Sequence, residues 1–200
     1  MMYESLRQLT AGFELVLSSR SPRRVRLLKE IDIPFRQVIP DLEEDSLPGE
    51  HPHAYARRLA EDKALWVAEQ VNKHQIVLGC DTVVVLGGRI LGKPADDEEA
   101  YRTLKTLAGN KHTVCTALAF ASAGNILASG YELTGVYFNQ VSDEQIWQYI
   151  HSGEPRDKAG AYGIQGMGGF LVDRIEGNLD NVIGLPRSLL ERLAREIVTR

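Results

Sequence analysis

The sequence has few cysteines: Cys80 and Cys115 are the two in 200 residues, and neither belongs to a CxxC pair. That excludes a disulfide framework and a cysteine-based zinc site, and it fits a reducing compartment. Both lie in apolar, strand-like runs, where the expected role is a small buried hydrophobe. No run approaches about 18 apolar residues, so no bilayer-spanning helix is predicted. The start, Met1–Phe13, carries Glu4 and Arg7 and lacks the apolar centre of a signal peptide, which predicts a cytoplasmic protein without a membrane partner. Basic charge is not in surplus either. Lys and Arg number 23 against 27 Asp and Glu, a formal net charge of −4. General nucleic-acid binding draws on a basic balance and is not expected, so any anion site has to be local. Internal repeats, low-complexity tracts and long linkers are missing too. What remains is a globular composition, 44% hydrophobic and 25% charged. A chain this long buries about 70% of its unfolded surface without a metal or disulfide staple.

Local patterns mark most elements. Glu14–Leu17 reads as a short buried strand. Ser21 reads as an N-cap with Pro22 at the first helical position, followed by Val25, Leu27, Leu28 and Ile31 on one face. Phe35–Ile39 is a second strand, and Pro40–His53 is too acidic and too rich in Pro and Gly to be core. The spacing of Ala56, Leu59, Ala60, Ala64, Val67 and Val71 predicts a helix over His53–Val71. Strands are predicted at Ile76–Cys80 and Thr82–Leu86, on either side of Asp81, with Gly87-Gly88 turning a hairpin into Arg89–Leu91. Asp96 and Glu99 form a capping-box start for a helix that ends near Gly109. Strands follow at His112–Ala121 and Leu127–Phe138. Ser142 with Gln145 begins another helix, closed by Gly153. A glycine-rich loop over 153–169, a strand at Phe170–Ile175 and a helix from Pro186 complete an α/β chain with a mixed sheet.

Three placements suggest chemistry. Arg23 and Arg24 lie in the first turn of a helix, where the macrodipole disfavours cations by a few tenths of a kcal/mol each (roughly). The N–H groups there already attract anions, and guanidinium forks beside the Ser19 and Ser21 hydroxyls strengthen the site. A solvated basic helix start with Ser21 as its cap fits the same residues. Asp81 interrupts the β-branched run IVLGCDTVVVL. At a strand end bordering a cleft it could bind metal or act as a general base, although a turn aspartate bonded to its own backbone is the plainer reading. Lys63 falls on the apolar row between Leu59 and Val67, where snorkelling to the rim is the bland explanation. Lys93 is held between Gly92 and Pro94, just after the hairpin.

Two further patterns are decoys. Gly87–Lys93 matches GxxxxGK, but Pro94 stands where a P-loop needs Ser or Thr for magnesium. Gly163, Gly166, Gly168 and Gly169 lack the following helix of a dinucleotide fingerprint. The acidic run Glu43-Glu44-Asp45 is of the kind that is usually solvated. Opposite a phosphate site, its oxygens could also serve magnesium.

Taken in order, Ser19–Arg24, the Glu44 loop, Leu59–Ala64, Gly79-Cys80-Asp81-Thr82, Gly92-Lys93-Pro94, Asp157–Gly166 and Asn181–Pro186 resemble the Maf family from about Leu15 to Leu190. The resemblance implies a single Maf-like domain over 1–200. Its fold would be α/β with a mixed, elongated sheet flanked by helices, in two lobes around a central cleft, like inosine triphosphatases. It implies a nucleoside triphosphate pyrophosphatase that uses Mg2+ or Mn2+ and attacks the α-phosphorus with water. Links to nucleotide house-cleaning and septum formation, and frequent homodimers, come with it. The segment DKAGAYGIQG resembles the dTTP/UTP branch. Asp81 matches the catalytic acid, a proton acceptor. Arg23, Thr82 and Gln165 match specificity positions, and Ser19, Arg24, Lys63 and Lys93 match phosphate contacts. Glu44, with Asp81 sharing, matches the metal surroundings. Three departures stand out: Ser18 where alanine is usual, Arg20 inside the turn, and Glu43 in place of aspartate. A pyrophosphatase for modified or 7-methylated purines, and a non-catalytic nucleotide sensor in septum control, are the rival readings. A nucleic-acid-binding regulator is the third.

Overall fold

The computed structural model describes residues 3–200. Met1 and Met2, the first residues of the segment read for a signal peptide, lie outside them. By its internal packing the chain forms two units. One takes the chain up to Asp81 with residues 116–132 and 184–200, and the other takes 82–115 and 133–183.

The first unit opens with a helix that the sequence patterns do not announce, α1 (Glu4–Gly12). Its cap, Tyr3, makes no side-chain capping bond. The N–H groups of Ser5 and Leu6 in its first turn instead bond to the Glu191 carboxylate at 2.8 and 3.0 Å. Glu191 lies on α7 (Arg187–Val198), against which Leu6 and Leu9 are buried. β1 (Glu14–Ser18) is buried along Leu15–Leu17, as its unbroken apolar run predicts for a central parallel strand. α2 (Pro22–Lys29) starts at Ser21 with Pro22 in its first turn, as read, and β2 (Phe35–Val38) follows. α3 (Pro52–Ala68) buries Ala56, Leu59, Ala60, Ala64 and Val67 of the predicted face, but it ends at Ala68, short of Val71, which is half-buried outside the helix.

β3 (Gln75–Leu86) is one strand of 12 residues that runs straight through Asp81. Two strands broken at Asp81 were predicted, and the reason for the difference lies in the neighbours of that carboxylate, described below. β4 (Arg89–Leu91) pairs antiparallel with β3 across the glycine hairpin. α4 (Asp97–Leu107) is capped by Asp96, which accepts from the Glu99 N–H at 2.7 Å. β5 (Lys111–Ser122) and β6 (Asn125–Phe138) follow. α5 (Asp143–His151) carries the full reciprocal Ser142–Gln145 capping box. The glycine-rich segment contains three short 3-10 turns, at Glu154–Asp157, Ala159–Ala161 and Met167–Leu171. β7 (Val172–Glu176) and the five-residue α6 (Leu179–Ile183) lead back to α7.

Among the described residues the sheet has seven strands, in the order β2-β1-β3-β5-β6-β7 with β4 on β3. β1 runs parallel to both β2 and β3, whereas β6 and β7 are antiparallel, so the sheet is mixed as expected. The second unit has its own core, in which Leu104, Leu107, Val136, Phe138, Ile146 and Tyr149 are among the buried side chains. His112 is embedded there, its Nε2 paired with the Tyr162 hydroxyl at 2.8 Å. Among the described residues no helix is long and apolar enough to cross a membrane.

Candidate active site

α3 lies very close to β3 at Gly79. A Cβ there would fall 2.1 Å from the Ala60 carbonyl oxygen and 2.8 Å from the Ala64 Cβ, so only glycine permits the approach. Side chains two apart on a strand share a face, and Asp81 therefore sits beside Gly79 on the face that α3 covers. Lys63, one helical turn from Ala60, reaches it. Its ammonium lies 2.6 Å from Asp81 Oδ1 and 2.8 Å from Glu44 Oε1. Lys63 is 7% exposed and Asp81 6%, so this is a buried ion pair with Glu44 at its open side. The pairing explains the uninterrupted strand, because a buried carboxylate is tolerated where a cation compensates it. Lys63 does not snorkel to the surface.

The other groups of the first unit brace this pair. The Ser18 hydroxyl, at one of the positions departing from the Maf pattern, donates to the Lys63 carbonyl at 2.7 Å. Arg24 donates through Nη1 to the Cys80 carbonyl at 3.0 Å and to Ser19 Oγ at 3.1 Å, and through Nε to the Gly184 carbonyl at 2.9 Å. Its guanidinium is thereby fixed in direction before any ligand binds. Ser19 Oγ also accepts the Ser21 N–H at 3.2 Å, so its two lone pairs serve the turn and its O–H is what it can offer outward. Ser21 accepts from the Arg24 N–H, and half-buried Arg23 lies between them in the first turn of α2.

Sequence reasoning missed what holds Glu44. Tyr55 Oη donates to the Glu44 carbonyl at 2.7 Å. Arg58 clamps Glu50 through two bonds of 2.7 Å and donates to the Asp45 carbonyl at 2.9 Å. Both lie on α3, Arg58 five and Tyr55 eight residues before Lys63, offsets that do not repeat with the helical period and so gave no sequence signal. Burial, with the Asp81 and Glu44 charges adding, pushes the Tyr55 phenol up to about 12, so it remains a donor. Burial pushes the Cys80 thiol up to about 11, and both cysteines are buried and free, as read.

Among the described residues no three His, Cys, Asp or Glu side chains gather into a metal cage. Two carboxylates do converge on one cation, the Lys63 ammonium. That donor set fits a hard ion such as magnesium, which takes one or two carboxylates and fills its remaining positions with water and phosphate oxygens.

Residues 14–197 match the family described as Maf-like protein. The chain belongs to the Maf family. A relative named dTTP/UTP pyrophosphatase from Aquifex aeolicus (strain VF5) is 43% identical over 183 residues, covering 92% of this chain and 95% of the relative. Another of the same name, from Yersinia pestis bv. Antiqua (strain Antiqua), is 47% identical over 172 residues, covering 86% and 87%. A solved HAM1 protein from Coxiella burnetii overlays with a TM-score of 0.49 at 17% identity, over 94% of this chain and 100% of that one, a likeness too distant to speak to function.

In this Maf-family chain the remaining predicted residues belong to the second unit. Thr82 is half-buried on β3 and, by strand alternation, faces away from Asp81. Lys93 is exposed. Its neighbour Gly92 accepts the Gly160 N–H at 3.0 Å, which ties the turn after β4 to the segment bearing Gln165. Gln165 is exposed on the glycine-rich loop.

Proposed function

We propose that this protein is a nucleoside triphosphate pyrophosphatase that takes dTTP and UTP and releases the monophosphate and pyrophosphate. The observation that carries the reading is the buried Lys63 ammonium between the Asp81 and Glu44 carboxylates, beside a preset Arg24. The names of the curated relatives support the substrate class.

Hydrolysis of a phosphoanhydride requires an aligned water and neutralised phosphoryl oxygens. In the first unit the α2 N-terminus with Arg23 and Arg24, together with Lys63, receives the triphosphate charge, and Ser19 contributes its O–H; in the second unit Lys93 is the phosphate-binding residue. Two of the three Lys63 N–H donors engage the carboxylates, which leaves the third for a phosphoryl oxygen. Asp81 takes the proton of the water that attacks the α-phosphorus, and Lys63 fixes the direction of its Oδ1. Glu44 and Asp81 would hold a divalent cation, whose chemistry is to neutralise charge on the phosphate oxygens. Gln165 offers one donor and one acceptor to the N3–H and O4 edge of a pyrimidine. Thr82 adds a hydroxyl, and Arg23 shares in base choice.

The test is pyrophosphate release across canonical and modified triphosphates, with and without magnesium, for wild type and Asp81→Asn. The variant is expected to fold and to lose roughly 100- to 10,000-fold in turnover, the range for a general base. Near-normal turnover removes Asp81 from the chemistry, and a purine preference in wild type removes the pyrimidine reading.

A further inference from the structure

Base selection needs Gln165 but does not explain the glycines around it. Their partner is Glu154, in the 3-10 turn after α5. Its Oε2 accepts the Met167 N–H at 2.8 Å, and its Oε1 accepts the Gly168 N–H at 3.4 Å and the Tyr149 hydroxyl at 3.0 Å. Tyr149 Oη in turn accepts the Gly163 N–H at 3.0 Å. Burial pushes the Tyr149 phenol well above the usual tyrosine range, so its O–H stays available to donate. The backbone lies close against this pair, so that a side chain there would displace it. A Cβ on Gly166 would lie 2.4 Å from Glu154 Oε2, one on Gly163 2.8 Å from Oε1, and one on Gly168 2.6 Å from Tyr149 Oη. The glycine-rich stretch is thus shaped to enclose a carboxylate of the protein itself, and the bonds that close it fall on both sides of Gln165.

We infer that Glu154, acting directly and through Tyr149, is a positioning residue that fixes the backbone of residues 163–168 and so presets Gln165 for the base. The inference rests on the reading of Gln165 as the base-selecting residue. Glu154 touches no substrate. Its effect is to remove the loop's freedom before binding, so that discrimination does not have to supply the cost of ordering it. Glu154→Gln replaces one acceptor oxygen by an NH2 group, and a loop donor then faces another donor.

The experiment compares wild type, Glu154→Gln, Tyr149→Phe and Gln165→Ala in two measurements. One is amide hydrogen exchange at Gly163, Met167 and Gly168. The other is kcat and KM for dTTP and for dGTP. In Glu154→Gln, exchange at these amides is expected to quicken on the order of tenfold, the scale of one lost charged hydrogen bond. The KM for dTTP should rise more than kcat falls, and the dTTP-over-dGTP ratio should drop on the order of tenfold. Tyr149→Phe should shift both measurements the same way, chiefly at Gly163, and it carries the test if Glu154→Gln fails to fold. Unchanged exchange in both variants overturns the clamp, whatever Gln165 does. Faster exchange with an unchanged ratio, while Gln165→Ala lowers it, makes Glu154 a structural brace and overturns the positioning role. An unchanged ratio in Gln165→Ala removes the base-selection reading and the purpose given to the clamp, while the exchange data still report on the clamp itself.

Discussion

Replacing Lys63 by Met keeps an unbranched apolar stem in the same space, with sulfur in place of one methylene, and removes the ammonium. The structure sets the size of the effect. Asp81, 6% exposed, would lose the cation at 2.6 Å and remain a buried, unpaired carboxylate, at a cost of about 3–5 kcal/mol. Glu44 contributes little to this sum, because its side chain is 45% exposed and turns to water, a change worth under about 1 kcal/mol. For a chain of this size each kcal/mol moves Tm by about 2–4 °C, so Lys63→Met should melt roughly 6–20 °C below wild type. Adding Asp81→Leu removes the stranded charge. Well-packed apolar replacement of a buried pair is neutral to stabilising, so the double variant should recover to within about 2 kcal/mol of wild type or exceed it. It should also release no pyrophosphate. Urea denaturation of wild type, both single variants and the double variant, followed by the pyrophosphate assay, checks both halves. Lys63→Met within about 1 kcal/mol of wild type would show instead that the pair is solvent-screened. A double variant as unstable as the sum of the singles would show that the losses come from packing.

Two further outcomes follow from burial. Gly79→Ala drives a Cβ into the α3 backbone and should lower stability by about 3 kcal/mol, the upper end of overpacking effects, along with activity, because α3 carries Lys63. A melting temperature within about 3 °C of wild type, the shift expected for only about 1 kcal/mol, would contradict it. Burial lowers His112 from 6.5 to about 4, so it is neutral in both states above pH 6.5 and the unfolded chain takes up the proton first as pH falls. Native stability should therefore drop by about 2 kcal/mol between pH 7 and pH 4.5, and His112→Gln should flatten that part of the curve. Equal slopes for the two proteins in denaturation at a series of pH values would exclude the assignment.

The elements read correctly from the sequence are those whose signals are local. The Ser21-Pro22 helix start, the Ser142–Gln145 capping box, the Gly87-Gly88 hairpin and the apolar face of α3 each lie within a few residues of what they specify. Those misread depend on a distant partner. α1 escaped because its N–H groups are capped by Glu191, 186 residues along the chain. The break predicted at Asp81 is absent because Lys63 compensates the carboxylate within the strand. The glycine-rich segment folds back on Glu154, 13 residues before Met167, a contact that no pattern of neighbouring residues marks.

The anion-attracting turn, the odd aspartate in an apolar run and the lysine on an apolar row follow from residue chemistry and periodicity alone. That the last two are one feature emerges on packing. Their union requires α3 to approach β3 at Gly79, a distance set by the absence of a side chain and visible only once helix and strand are packed.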